Sequence, residues 1–175
     1  MNLSLHPLIV LLLFPGGLFL LASGLLFQWA DRKLVARFQN RAGPRLLQPL
    51  ADVVKLLAKE EIVPQGVHKG LFLALPIIAL ASALTAALYV PMFGLKPFHS
   101  FQGDLIVTLY LLSVLSLTLG LAGANTVSRF SLVGATRTLT QLFSYEAPFL
   151  LALLGPALAA QTWEISKINE FASQS

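Results

Sequence analysis

The fold class these 175 residues predict is an all-α integral membrane protein, with four transmembrane helices and one cytoplasmic amphipathic surface helix. Three observations carry this expectation. Hydrophobic residues make up 56% of the chain and charged ones 11%, less than half the roughly 25% of a soluble domain. Four stretches reach the roughly 20 apolar residues that a helix needs to cross the hydrocarbon core. Most of the charge falls between those stretches rather than within them.

Residues 5–29, 70–93 and 105–124 contain no Asp, Glu, Lys or Arg, and residues 139–160 hold one acid, Glu146. Backbone groups in lipid must be satisfied within their own segment, so these spans are helices. The apolar–polar alternation of a membrane strand is absent. The spans take roughly half the chain and leave too little for a soluble domain, so residues 1–175 are expected to form one membrane domain. Nothing basic precedes the first span, and its apolar run is too long for a cleaved leader, so it is expected to be a permanent helix.

Charge placement orients the bundle. Arg32, Lys33, Arg37, Arg41, Arg45, Lys55, Lys59 and Lys69 lie between the first two spans, and Arg129 and Arg137 between the third and fourth. Only Lys96 and Lys167 fall on the other side. Basic loops stay in the cytoplasm, which predicts a multi-pass protein of the cell membrane with both termini outside. Topology thus explains the net charge of +4 and removes nucleic acid as a partner. With no cysteine, the chain itself can hold no disulfide, zinc–thiolate site or thiolate-bound iron–sulfur cluster.

The connection over residues 30–69 is organised. It opens on Asp31-Arg32-Lys33, passes Arg37 and Arg41, and turns at Gly43-Pro44. Pro49 suits the first turn of a helix. Leu50, Val53, Val54 and Leu57 then share one face, while Gln48, Asp52, Lys55 and Lys59 share another. This predicts a surface helix of roughly 12 to 15 residues, ended by Pro64 and Gly66. A one-signed helix would serve membrane lipid alone. Acids and cations are mixed here, which suits docking against another protein.

Glu146 is counted seven residues beyond Leu139, roughly 10 Å into its span. An ionisable group at such depth faces a polar cavity or relays protons. The alternative is a neutral glutamic acid that holds helices together. Tyr145 beside it is expected on a different helix face, Gln141 and Ser144 along the approach, and Pro148 loosens the helix locally. His6, His68 and His99 lie at different depths, unsuited to paired haem ligation. Gly120 and Gly123 suit close helix packing. No nucleophile elbow, phosphate loop or metal-ligand cluster is present, so no catalytic residue is assigned.

Two blocks carry a family resemblance. The run Asp31-Arg32-Lys33 … Arg37-Phe38-Gln39-Asn40-Arg41-Ala42-Gly43-Pro44 … Leu47-Gln48-Pro49-Leu50-Ala51-Asp52-Val53-Val54-Lys55 resembles the first loop of the H-type (chain 1) membrane subunit of respiratory complex I. The block Gly134-Ala135-Thr136-Arg137 … Gln141-Leu142-Phe143-Ser144-Tyr145-Glu146 resembles its fourth helix. The two are collinear from Asp31 to about Pro156. The same family includes subunits of group 4 membrane-bound nickel–iron hydrogenases and formate hydrogenlyases. Only Arg45 and Leu46 separate the Gly-Pro turn from Leu47, a short form closer to the hydrogenase branch. Asp31 stands where the family commonly has Glu.

The resemblance implies an anchor and ion-coupling subunit of a redox-driven proton or sodium pump. The hydrogenase-like branch is slightly favoured, with a quinone-reducing complex I subunit as the alternative. It implies no cofactor on this chain, with iron–sulfur clusters and either a nickel–iron centre or a quinone on partner subunits. Those partners are the large and small subunits of the soluble arm and antiporter-like membrane subunits. Asp31, Arg32, Lys33, Arg37, Arg41, Gln48, Asp52, Lys55 and Arg137 fall to the interface with the soluble arm and its quinone cavity. Glu146 and Tyr145 fall to the proton path. A complete member has eight transmembrane helices, so four here imply a split-gene product or a shortened form. From outside the family, a stand-alone secondary transporter is the competing class, but the two halves show no internal repeat.

Overall fold

The computed structural model describes residues 16–91 and 97–174. They form six helices: α1 (Gly17–Phe38), α2 (Gln48–Leu57), α3 (Lys69–Tyr89), α4 (Asp104–Ala124), α5 (Arg129–Ala159) and α6 (Ile165–Gln174). The chain divides into two compact units, Met1–Ile62 and Val63–Ser175.

In the first unit, α1 runs well past the predicted span end at Trp29 and carries Asp31, Arg32, Lys33 and Arg37 as helical residues. The end of an apolar run does not end a helix, and no breaker intervenes before residue 40; Arg37 in the last turn also complements the helix dipole. The end is built by Asn40 in the left-handed conformation (φ 53°). Arg41 N–H reaches Ala36 O at 2.8 Å and Asn40 N–H reaches Arg37 O at 3.1 Å, the paired bonds of a Schellman cap. The chain then doubles back along α1. Trp29 Nε1 donates to Pro44 O at 3.2 Å, and a Cβ on Gly43 would meet Lys33 Cα at 3.1 Å. Glycine suits that close approach, because any side chain there would push Lys33 away by a few tenths of an ångström.

The surface helix is shorter than predicted. α2 stops at Leu57, where Ala58 caps it and Lys59 N–H tightens the last turn onto Leu56 O. Pro64 excludes helix from the residue before it, but the chain leaves the helical path well ahead of that point. Pro49 in the first turn is buried, whereas Leu50, Val54, Leu56 and Leu57 are exposed.

The second unit is an antiparallel row of three helices, each long and apolar enough to cross a membrane, with α4 in the middle. α3 ends at Tyr89 rather than Phe93, because Val90 precedes Pro91 and is extended (ψ 120°). α5 begins at Arg129 rather than Leu139. Its 31 residues span about 46 Å against a hydrocarbon core of about 30 Å, so polarity marks where it leaves the lipid, not where it stops. The connection from α4 shrinks to 125–128, and Arg137 is helical. α5 ends in a second Schellman cap at Gln161 (φ 50°), with Thr162 N–H on Ala157 O at 3.2 Å. The segment after it forms α6, which the apolar pattern did not indicate. The predicted span 5–29 falls partly outside the described residues, as do His6, Lys96 and both chain ends.

Small residues set the approach of α4 and α5. A Cβ on Gly120 would lie 2.6 Å from Leu139 Cδ2, and one on Gly123 would lie 3.0 Å from Ala135 Cβ. Both glycines therefore serve packing, as their spacing suggested.

Candidate functional site

Glu146 is half-buried between α5 and α4, and its Oε1 accepts a hydrogen bond from Ser113 Oγ at 3.1 Å. Ser113 is near the middle of the 21-residue α4, roughly 14 Å from one end and 16 Å from the other. The carboxylate thus lies deeper than a count from Leu139 suggested. It has a polar partner on the neighbouring helix, yet remains partly open. Pro148 has no N–H for the carbonyl of Ser144, one turn earlier, so a backbone acceptor is freed beside it.

Tyr145 does not point away from this arrangement. Its hydroxyl is 3.2 Å from Ser116 Oγ, one turn beyond Ser113, so adjacent α5 residues engage adjacent turns of α4. Ser144 is turned back on its own helix, donating to Thr140 O at 2.8 Å. Gln141 is exposed. Ser113 and Ser116 were missed in the sequence. Their signal was available, as hydroxyls at i and i+3 in an otherwise apolar span share a face.

The predicted interface residues of the first unit form a mixed surface. Arg32 Nη1 pairs with Asp52 Oδ2 at 2.9 Å, joining α1 to α2, and Gln48 Nε2 reaches Asp52 Oδ1 at 3.5 Å. The Arg32 guanidinium holds the Asp52 carboxyl below its ordinary range, with Gln48 adding to the effect. Lys33 stacks over the Trp29 ring, 4.8 Å from its centroid. Arg37, Arg41, Lys55 and Asp31 are exposed. Arg137 is exposed on the long N-terminal arm of α5 in the second unit.

A further polar cluster lies at the opposite end of that unit. Asp104, fully buried, accepts from Ile165 N–H at 2.8 Å. Ser100 Oγ lies 3.4 Å from Asp104 Oδ2 and donates to Glu164 Oε1 at 2.7 Å. Lys167 pairs with Glu164 Oε2 at 2.7 Å. Lys167, then Ser100 and Ser166, lower the Glu164 carboxyl to about 2. This cluster ties the start of α4 to the start of α6. It was invisible to a scan of single spans because its members are 60 residues apart in sequence.

Residues 9–175 match the family model described as NADH dehydrogenase. The H subunit of NADH-quinone oxidoreductase from Dehalococcoides mccartyi (strain CBDB1) is 36% identical over 178 residues, covering 94% of this chain and 48% of that protein. The corresponding protein of Syntrophotalea carbinolica is 34% identical over 158 residues, covering 81% and 47%. That of Helicobacter pylori (strain ATCC 700392 / 26695) is 32% identical over 160 residues, covering 83% and 49%. The chain spans about half the length of the curated relatives it matches. All three names are quinone-linked, which fits the complex I alternative better than the hydrogenase branch suggested by the short spacing after Pro44.

Proposed function

The chain belongs to the NADH dehydrogenase family, and from that premise we propose that it is a membrane-anchor and ion-coupling subunit of a quinone-linked, redox-driven proton or sodium pump. One observation carries the proposal: a half-buried carboxylate at the mid-depth of an apolar helix row, hydrogen-bonded across helices by Ser113. Ionisable residues in that setting are costly to bury and mark ion pathways and proton relays.

In this proposal residues 5–29 supply a fourth transmembrane helix, both termini lie outside, and the basic surfaces face the cytoplasm. Of the nine residues that the resemblance puts at the interface, Asp31, Arg32, Arg41, Gln48, Asp52, Lys55 and Arg137 meet the soluble arm, whose subunits carry the iron–sulfur clusters, while Lys33 and Arg37 line a separate crevice on α1. The quinone is reduced at that junction, and antiporter-like subunits continue the ion path. Tyr145 and Ser116 extend the polar lining beside Glu146. Coupling is electrostatic: redox events at the junction shift the protonation of Glu146 by a differential interaction of about 1–3 kcal/mol.

Glu146→Gln tests the proposal. The variant keeps size and hydrogen bonding but cannot lose a proton. Assembly intact with impaired coupled turnover supports the reading; intact assembly with normal coupled turnover sinks it.

A further inference from the structure

Near its C-terminal end α1 carries open crevices on two opposite faces, and their chemistry differs. One, of about 430 Å³, includes Asp31, Arg32, Gln39 and Arg41 in its lining. Its charge is mixed, and Arg32 is already committed to Asp52. The other, of about 420 Å³, is lined by Trp29, Ala30, Lys33, Leu34 and Arg37. Trp29, Lys33 and Arg37 follow one another at four-residue steps and so stack along one face. Both charged members are cations.

The charges of this second crevice are held in readiness. Among the described residues, neither Lys33 nor Arg37 enters a salt bridge. Trp29 is fixed by its bond to Pro44 O, and its ring holds the Lys33 ammonium at 4.8 Å. Of the last four carbonyls of the helix, those of Val35, Ala36 and Arg37 accept from Gln39, Arg41 and Asn40. The negative end of the helix dipole opposes an anion here, and the two cations outweigh it.

Position selects the anion. Residues 17–30 of α1 carry no charge, so Lys33 and Arg37 are the first cations on this face beyond an apolar run that closes on a tryptophan. Tryptophan at the end of a span marks headgroup level, and lysine and arginine extend to it. We infer that this crevice is a headgroup site for an anionic phospholipid. The phosphate lies between the Lys33 ammonium and the Arg37 guanidinium, which suits phosphate oxygens in pairs. Leu34 and Ala30 receive the glycerol and the start of the acyl chains. A zwitterionic headgroup is disfavoured, because no acid lines the crevice and the indole face is taken by Lys33. The site stands apart from the Glu146 proposal and survives its failure.

The test uses the detergent-purified complex that contains this chain. After exchange into lipid-free detergent, it is titrated with phosphatidylglycerol or phosphatidylcholine, and bound lipid is counted by mass spectrometry. The inference predicts saturable phosphatidylglycerol binding that the Lys33→Gln, Arg37→Gln pair weakens about 30-fold. Arg41→Gln, on the other crevice, leaves it unchanged, and Lys33→Arg retains it, which separates charge from folding. Equal binding of phosphatidylcholine overturns the inference, as does unchanged binding in the double variant. So does loss of the soluble arm from the double variant with lipid retained, which would make this face a protein interface. Displacement by inorganic phosphate at equal concentration would also overturn it, by reassigning the site to free anion.

Discussion

Ser113 on α4 donates a 3.1 Å hydrogen bond to the carboxylate of Glu146 on α5, at the mid-depth of the helix row. One hydroxyl thus does two things. It satisfies part of a group that lipid cannot solvate, and it fixes which side of α5 that group presents. One hydrogen bond from a neutral hydroxyl cannot replace hydration of a carboxylate. The remaining requirement is met by the open side of Glu146, where water, a partner helix or a proton can enter.

Removing the hydroxyl alone has a graded effect. Ser113→Ala deletes a hydrogen bond to a carboxylate, whose net contribution is about 1.5–3 kcal/mol. Coupled turnover is expected to fall about tenfold, less than in Glu146→Gln, with assembly unchanged on native gels. A loss as deep as that of Glu146→Gln would give Ser113 a role of its own.

The packing of α4 on α5 depends on the absence of a side chain at residue 120. Gly120→Ala places a Cβ at 2.6 Å from Leu139 Cδ2, so Leu139 must move. Overpacking of this kind costs about 1–3 kcal/mol. Thermal unfolding in detergent should show the loss, and Leu139→Ala in the same chain should restore part of it. An unchanged midpoint in the single variant would mean that Leu139 rotates away freely.

The left-handed residue that ends α1 gives a backbone test. At Asn40 (φ 53°) a β-branched residue is strained, whereas glycine is not. Asn40→Val is expected to destabilise the end of α1 by about 1–2 kcal/mol, and Asn40→Gly to be near neutral. Hydrogen exchange at Arg41, whose N–H closes the cap on Ala36 O, reads both.

Acid should open the other end of the second unit within a defined window. The Glu164 carboxyl is lowered from 4.5 to about 2, chiefly by its hydrogen bond with Lys167. A lowered carboxyl contributes stability that is present above its unfolded value and lost as pH falls through its folded one. Amide protection at the start of α6 should therefore hold down to pH 4.5 and decline toward pH 2. Glu164→Gln should abolish that decline. Loss of protection already near neutral pH would contradict the assignment.

The membrane character, the three spans of the second unit and the amphipathic α2 were legible because each rests on apolar periodicity along one segment. Element ends were less so. α1 and α5 both run into polar sequence, since helix geometry continues beyond the apolar run until a cap such as Asn40 or a break such as Ser128 stops it. Glu146 was legible as the one acid in its span. Its partner Ser113 was not, because pairing depends on the rotation of α4 against α5, which Gly120 and Gly123 set through contacts distant in sequence. The Arg32–Asp52 pair was legible only as two members of a mixed surface. Asp104 and Glu164 were unreadable for the same reason as Ser113.

The most direct test of the account is the number of protons or sodium ions moved per electron by the complex in sealed liposomes, with Glu146→Gln beside the unmodified protein. The account predicts an assembled complex in which Glu146→Gln moves fewer ions per electron, or stalls electron transfer with ion movement. An unchanged ratio at an unchanged rate would contradict it, and would leave Glu146 a hydrogen-bonded tie between α4 and α5.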